Sequence, residues 1–225
     1  GGHNSESLVS LEVQYNKIIL AGRFYNYTVI DGDSLFSTSG TDIFVAKFDL
    51  NGDLLNSHVM GGASVDMVSD MAMDVEGNIY LVGDFYSDIY FSDDYHFDAG
   101  DLLGIYLAKL NPSLDVEWAY QVVGDDLKPG VKVDVSPLGV ATISGGFTSS
   151  VQFGNTQLTT AIADEDIYMA SFSNEADVNW AQRFYSSSME SVVDVNVDRL
   201  GDIYISGHYL SDIHFGNLIL NYSLC

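Results

Sequence analysis

The stretch Asp42-Ile43-Phe44-Val45-Ala46-Lys47-Phe48 decides the reading because it comes back twice. It returns as Gly104-Ile105-Tyr106-Leu107-Ala108-Lys109-Leu110 and as Asp166-Ile167-Tyr168-Met169-Ala170-Ser171-Phe172, each time 62 residues on. Other landmarks keep the same period. A glycine closes an apolar run at Leu20-Ala21-Gly22, Leu81-Val82-Gly83, Ile143-Ser144-Gly145 and Ile205-Ser206-Gly207, in steps of 61, 62 and 62 residues. An acid-led segment recurs as Asp53-Leu54-Leu55-Asn56, Asp115-Val116-Glu117-Trp118 and Asp177-Val178-Asn179-Trp180. An aromatic with a turn recurs at Phe91-Ser92, Phe153-Gly154 and Phe215-Gly216, with Ile30-Asp31 in the first copy. Landmarks in fixed order at a fixed period are the signature of a repeat architecture. The copies run 1–60, 61–123, 124–185 and, in part, 186–225.

Each copy reads as four strands, a to d. An alternating segment such as Val131-Lys132-Val133-Asp134-Val135 leads into a hairpin signal (Glu76-Gly77-Asn78, Leu138-Gly139, Leu200-Gly201-Asp202), then into a β-branched and aromatic run such as Ile79-Tyr80-Leu81-Val82. After a polar excursion comes the Ile-aromatic strand c. A second turn, as at Leu50-Asn51-Gly52-Asp53, leads to strand d. No segment carries a sustained 3.6-residue period with caps. The expected fold is all-β: a β-propeller of four-stranded antiparallel blades, about 62 residues each, with strands of four to eight residues. This unit is longer than the roughly 40–50 residues of common propeller repeats, and the surplus lies between b and c, where Gly154-Asn155 suggests a small extra hairpin. Ile43, Ile105 and Ile167 should be buried equivalents, as should Ala46, Ala108 and Ala170.

On these motifs the chain resembles the SBBP-type β-propeller repeats of large secreted bacterial proteins. The residues that carry the resemblance are 42–48, the Asn51-Gly52 turn, Gly61-Gly62, the hairpin from Asp74 to Tyr80, Trp118, and Phe215-Gly216-Asn217. The first copy departs from the pattern, with Asn56 for the tryptophan and Tyr15-Asn16-Lys17 for the glycine turn. The resemblance implies a secreted or cell-surface location beyond the bacterial outer membrane, often by the type IX secretion route. It implies contact with secretion or surface machinery and says little about activity.

Composition narrows the partners. The chain has 32 acidic and 8 basic residues, a formal charge of −24. Nucleic acid and anionic membrane surfaces are disfavoured, since phosphate binding needs clustered Lys and Arg. Apolar residues make up 47%, too many for a disordered acidic chain, yet no apolar run approaches a membrane span, so no membrane insertion is expected. The lone cysteine, Cys225, excludes an internal disulfide and a Cys-based zinc site.

Candidate chemistry is sparse. Asp88, Asp93, Asp94, Asp98 and Asp101 crowd five carboxylates into one excursion, where a hard cation such as Ca2+ would relieve their repulsion. The alternative is a solvated acidic rim. Asp49, Asn51 and Asp53 begin like a calcium loop, but Met60 stands where an EF-hand needs Glu, so a turn is expected. His208 and His214 lack an evident third ligand and read as rim histidines. The repeated aromatics read as core or inter-blade packing. Nothing follows the order of a Ser-His-Asp triad, a nucleophile elbow or a phosphate loop.

The expected function is a non-enzymatic binding or structural module for a protein or glycan ligand, because loops on a repeat scaffold carry the variation. The excursions and d–a connections should gather Asp31, Asp33, Asp93, Asp94, Asp98, Asp125, Asp126, Asp164 and Glu165 on one negative face. The alternatives are a glycan-cleaving propeller enzyme and a passive spacer. A sialidase-like site is disfavoured because Arg23, Arg183 and Arg199 occupy non-equivalent repeat positions, whereas a pair of catalytic carboxylates stays open. The next strand-c isoleucine falls due at position 229, so an incomplete arc is expected, closed by the remaining blades of a longer parent chain.

Overall fold

The computed structural model describes residues 5–160, 165–188 and 190–222, and among them there is no helix. The first unit is one antiparallel sheet in the order β1 (Glu6–Gln14), β2 (Lys17–Ile30), β3 (Asp33–Asp49) and β4 (Leu54–Met60). The second repeats it with β5 (Asp66–Met73), β6 (Ile79–Tyr90), β7 (His96–Leu110) and β8 (Val116–Leu127). The third has β9 (Lys132–Val135), β10 (Ala141–Phe153), β12 (Asp166–Phe172) and β13 (Val178–Tyr185), with β11 (Thr156–Thr159) folded back on the end of β10. The fourth contains β14 (Glu190–Val197), β15 (Ile203–Tyr209), β16 (Ile213–Phe215) and β17 (Leu218–Leu220). The expected hairpin at Gly154-Asn155 is the β10–β11 turn.

Strand length is corrected. Instead of four to eight residues, β3 runs for 17, β7 for 15 and β2 for 14. The excursion in the first two units is the b–c hairpin itself, prolonged past register shifts at Tyr25/Tyr27 and at Tyr86/Ser87/Asp88. Polar residues there kept the alternation from reading as strand. The prolonged tip meets the last strand of the preceding unit. Ser150, Val151 and Gln152 pair with Asp125, Gly124 and Val123, Phe215 and His214 pair with Phe184 and Tyr185, and Tyr90 bridges to Gly61. The third and fourth units thereby tie themselves to the strand before them, and the second does so only through the bridge at Gly61, just past β4.

Local chemistry explains the repeated landmarks. The block glycine sits where a side chain would collide. A Cβ on Gly83 would lie 1.8 Å from the Met67 carbonyl oxygen and 2.8 Å from the Tyr106 hydroxyl, and one on Gly145 would lie 2.6 Å from that of Tyr168. The strand-c aromatic therefore lies across the glycine. The turns are closed by Asx bonds. Asp49 Oδ1 accepts from the amides of Asn51 (2.8 Å) and Asp53 (3.0 Å), and Asp74 Oδ1 accepts from those of Glu76 (2.9 Å) and Asn78 (3.0 Å). In the first unit, Tyr15 and Asn16 both take positive φ (48° and 60°), which makes a two-residue hairpin without glycine.

Between units the sheets pack through apolar faces. Ile43, Ile105 and Ile167 are buried, and so are Ala46, Ala108 and Ala170. One core joins the first unit to the second through Ile19, Ile43, Met60, Leu81 and Ala108; another joins the second to the third through Tyr80, Ile105, Trp118, Ile143 and Phe172. Polar side chains cross the first two junctions at repeated positions. Lys47 Nζ donates to Pro112 O and Lys109 Nζ to Asn174 Oδ1, both at 2.6 Å. Trp118 Nε1 donates to Asn174 O at 2.9 Å, and Asn56, which replaces the tryptophan in the first copy, donates from Nδ2 to Ser113 O at 2.6 Å. The same linking position is thus served by different side chains.

Candidate functional site

The first strands of the four units, β1, β5, β9 and β14, stand beside one another in that order. Because side chains alternate along a strand, polar residues spaced by two share a side. There a strongly polar cleft of about 240 Å³ is lined by Glu12, Asp70, Asp134, Asp194 and Asn196. Asp70 Oδ1 accepts from the amide of Met71 (3.0 Å) and Oδ2 from that of Val133 in the next unit (3.3 Å). Asp134 repeats the arrangement, accepting from Val135 (2.8 Å) and from Val197 in the next unit (2.5 Å). These carboxylates both stitch the inner strands and give the cleft its charge.

Their protonation reflects crowding in a partly dry place. Burial raises the pKa of Glu12, and Asp134 and Asp70 raise it further. Burial also raises Asp70, against Lys132, whose Nζ is 4.0 Å away, and against the amides of Val133 and Met71. Asp134 is raised by burial despite its bonds to Val197 and Val135, with Asp194 adding repulsion. Such a cleft attracts cationic groups. It also brings carboxyl groups with a heightened hold on protons close together, the raw material of acid–base chemistry.

A second carboxylate group is buried between the first two units. Asp42 Oδ2 accepts from the Thr38 amide at 2.7 Å, and Asp66 Oδ2 from the Gly62 amide at 2.7 Å. Asp42 Oδ1 and Asp66 Oδ1 have no hydrogen-bond partner. Burial, with Asp42, Asp88 and Asp84 nearby, pushes Asp66 up to about 7, against the Gly62 amide. Burial raises Asp42 and Asp84 as well.

The acidic residues singled out in the sequence are spread along the hairpins. Asp93 and Asp94 are exposed in the β6–β7 turn, and Asp98 lies across from Asp88 on the paired strands. Asp88 Oδ1 accepts from the Ala63 amide (2.9 Å) and Asp98 Oδ1 from the Gly100 amide (2.7 Å); Asp101 is exposed farther along β7. Asp31 caps Leu54 N at 2.9 Å from the β2–β3 turn, beside exposed Asp33. Asp125 accepts from Ser150 Oγ (3.1 Å) and Asp126 pairs with Lys128 (2.8 Å). Glu165 is half-buried just before β12; Asp164 and Cys225 lie outside the described residues. Among the described residues no three His, Cys, Asp or Glu side chains are grouped so as to hold a metal ion. His214 stacks on Tyr185 with centroids 4.7 Å apart, and His208 is exposed.

The inner cleft escaped the sequence reading. Asp70 and Asp194 are two periods apart, but Lys132 holds the position between them and Asp134 enters from two residues further on. The available signal was a polar side to strand a, not a repeated acid. The sequence matches no family model and no curated protein.

Proposed function

We propose that the units are β-propeller blades of the SBBP type and that the chain is a non-enzymatic interaction module of a secreted or cell-surface bacterial protein. The inner carboxylate cleft would receive a cationic segment of a partner. The observation behind this reading is how the repeated side chains are used. Ile43, Ile105 and Ile167, with Tyr106, Ala108, Tyr168 and Ala170, are buried in the junctions, and Lys47, Lys109, Asn56 and Trp118 bond across them. Repetition thus serves the scaffold, while the cleft gathers charge from separate units. The test is calorimetric titration of the full chain with oligolysine at two salt concentrations. Binding that weakens steeply with salt and is lost in an Asp70→Asn/Asp194→Asn double variant supports the reading. Equal binding by the variant defeats it.

A second reading rests on the raised carboxyls of Glu12, Asp70 and Asp134 in one cleft. A glycan-cleaving enzyme would use such a carboxylic acid with an ionised partner. Release of reducing ends from a polysaccharide panel, abolished by Glu12→Gln, would favour it over the binding module. Calcium on the excursions is tested apart from both: melting curves with millimolar calcium and with chelator should separate if Asp88, Asp98 and their neighbours bind the ion, and coincide if they form a solvated rim.

A further inference from the structure

With 8 basic side chains against 32 acidic ones, a cation that has no carboxylate at hand is out of the ordinary in this chain. Lys109, Lys128, Lys132 and Arg183 each have one within 4.0 Å. Lys17 and Lys47 make no ion pair among the described residues, and both line one pocket of about 210 Å³ between the first and second units. Lys17 lies opposite Asp49 and Ile19 opposite Lys47 on the paired strands β2 and β3, so the two lysines project from the same face. The other walls are mainly apolar, with Ile19, Met73, Ile79 and Pro112 among them. The Tyr15 hydroxyl donates to Val75 O at 2.6 Å and holds the β1–β2 turn against the second unit at the edge of the pocket. Nearby acids are engaged elsewhere or turned outward. Asp49 accepts from the amides of Asn51 and Asp53 and from Asn51 Nδ2, and Glu76 is exposed and pairs with neither lysine.

The next junction shows what satisfies this lysine position. Lys109 meets Glu117 at 2.7 Å and Asn174 Oδ1 at 2.6 Å. One repeat earlier Leu55 and Pro112 stand at those two places, so Lys47 keeps the charge and has only the Pro112 carbonyl to donate to. Lys17 adds a second charge where the second unit has Asn78. Burial, with Lys17 nearby, lowers the pKa of Lys47, as befits a cation short of a counter-charge. We infer that this pocket binds a small organic monocarboxylate, with its carboxylate between Lys17 and Lys47 and its apolar body against Ile19, Met73, Ile79 and Pro112. The ligand's carboxylate takes the part that Glu117 plays for Lys109. A polyanion is the poorer ligand, because the chain's charge of −24 repels every further negative group while two lysines meet a single one. An uncharged apolar molecule leaves both lysines without a counter-charge. The inference stands apart from the inner cleft, whose charge is opposite in sign, and does not rest on the reading given to that cleft.

The test titrates the full chain with sodium benzoate at constant ionic strength and follows backbone amide shifts by NMR. Benzyl alcohol, acetate and hexaglutamate serve as comparison ligands. Lys47 also bonds Pro112 O across the junction, so Lys17 is the position to change, as Lys17→Met and Lys17→Arg, with Tm confirming the fold. Saturable shifts are expected around residues 14–19 and 73–79, with a Kd on the order of millimolar. Lys17→Met should weaken benzoate binding about tenfold, and Lys17→Arg should restore it. Acetate, which lacks the apolar body, and benzyl alcohol, which lacks the charge, should each bind more weakly than benzoate. Four outcomes overturn the inference: no saturable shift with benzoate, equal binding of benzyl alcohol (a comparison that needs no variant), undiminished binding by folded Lys17→Met, or tighter binding of hexaglutamate, which would assign the lysines to an acidic protein segment instead.

Discussion

At the junction of the second and third units, Trp118 and Lys109 both reach Asn174, Lys109 adds an ion pair to Glu117 at 2.7 Å, and Ile143 is fully buried. At the junction of the third and fourth, the repeat equivalents fare differently. Trp180 and Ile205 are both only half-buried. Among the described residues the shared core there has four buried members, Ile167, Met169, Phe184 and Val195. Tryptophan and isoleucine recur at the two junctions, but Ser171 stands for Lys109 and Asn179 for Glu117. The strands differ in their neighbours as well: β10 is flanked by β9 and β12, whereas β15 is flanked by β14 alone among the described residues. An isolated two-stranded hairpin is marginal in water, and a third strand is what lets its inner face dry.

The largest expected contrast is between Ile143→Ala and Ile205→Ala, one repeat apart. The first should cost about 2–5 kcal/mol as a buried truncation with a cavity left behind. The second should cost well under half of that, because half-exposed Ile205 has less to lose. Denaturant unfolding measures both, and equal losses would break the comparison.

Next comes the pH response of the buried carboxylates. Asp66 and Glu190 occupy one repeat position, but Glu190 uses two oxygens on Ser186, accepting from its amide (2.6 Å) and hydroxyl (2.8 Å), while Asp66 leaves Oδ1 without a partner. Burial pushes Asp66 up to about 7 in the folded chain, against the ordinary 3.8 it has when unfolded. Between those values the folded state keeps a proton that the unfolded state loses, so this group's contribution to stability falls as pH rises from about 4 to 7 and is level above. Asp66→Asn should raise the Tm at pH 7.5 and flatten that part of the profile. An unchanged slope would show that Asp66 ionises freely in its niche.

Ala108→Leu probes the close approach of the first two units. Ala108 is fully buried in their shared core, so overpacking should cost about 1–3 kcal/mol, read as a lowered Tm. An unchanged Tm would mean that this junction has slack. The smallest effect belongs to Trp118→Phe, which keeps a ring but removes the bond to Asn174 O. About 0.5–1.5 kcal/mol is expected from that bond. The equivalent change at half-buried Trp180 should lie below it.

The period, the strands and the buried Ile and Ala positions were legible because each depends on local pattern read three or four times over. The excursions read as polar surplus with a small extra hairpin, and not as prolonged strands b and c, because Asp88, Asp93, Asp94 and Asp98 break the apolar alternation, although backbone pairing continues almost to the tip. The same prolonged pairing runs in β2–β3 of the first unit, from Tyr27↔Phe36 to Ile30↔Asp33, so it is set across the hairpin, which a window on one strand does not contain. The inner cleft was hidden for a related reason. Its acids enter at different repeat positions, and only the lateral arrangement of β1, β5, β9 and β14 brings them together. Asp42 and Asp66, each buried with an oxygen unpartnered, look in sequence like any other residue of an acidic chain.

The tie between each prolonged hairpin and the preceding unit has a consequence for synthesis on the ribosome. The last strand of a unit leaves the exit tunnel before its outer partner exists. That partner follows about 30 residues later, as Val151 follows Gly124, Phe215 follows Phe184 and Tyr90 follows Gly61. At about 5–20 residues per second the nascent strand waits roughly 1.5–6 s with its outer edge bare. During that interval it is open to the edge pairing that leads to aggregation. The acids in those strands, Asp125 and its neighbour Asp126 in β8, stand where like charges on adjacent nascent chains would repel one another.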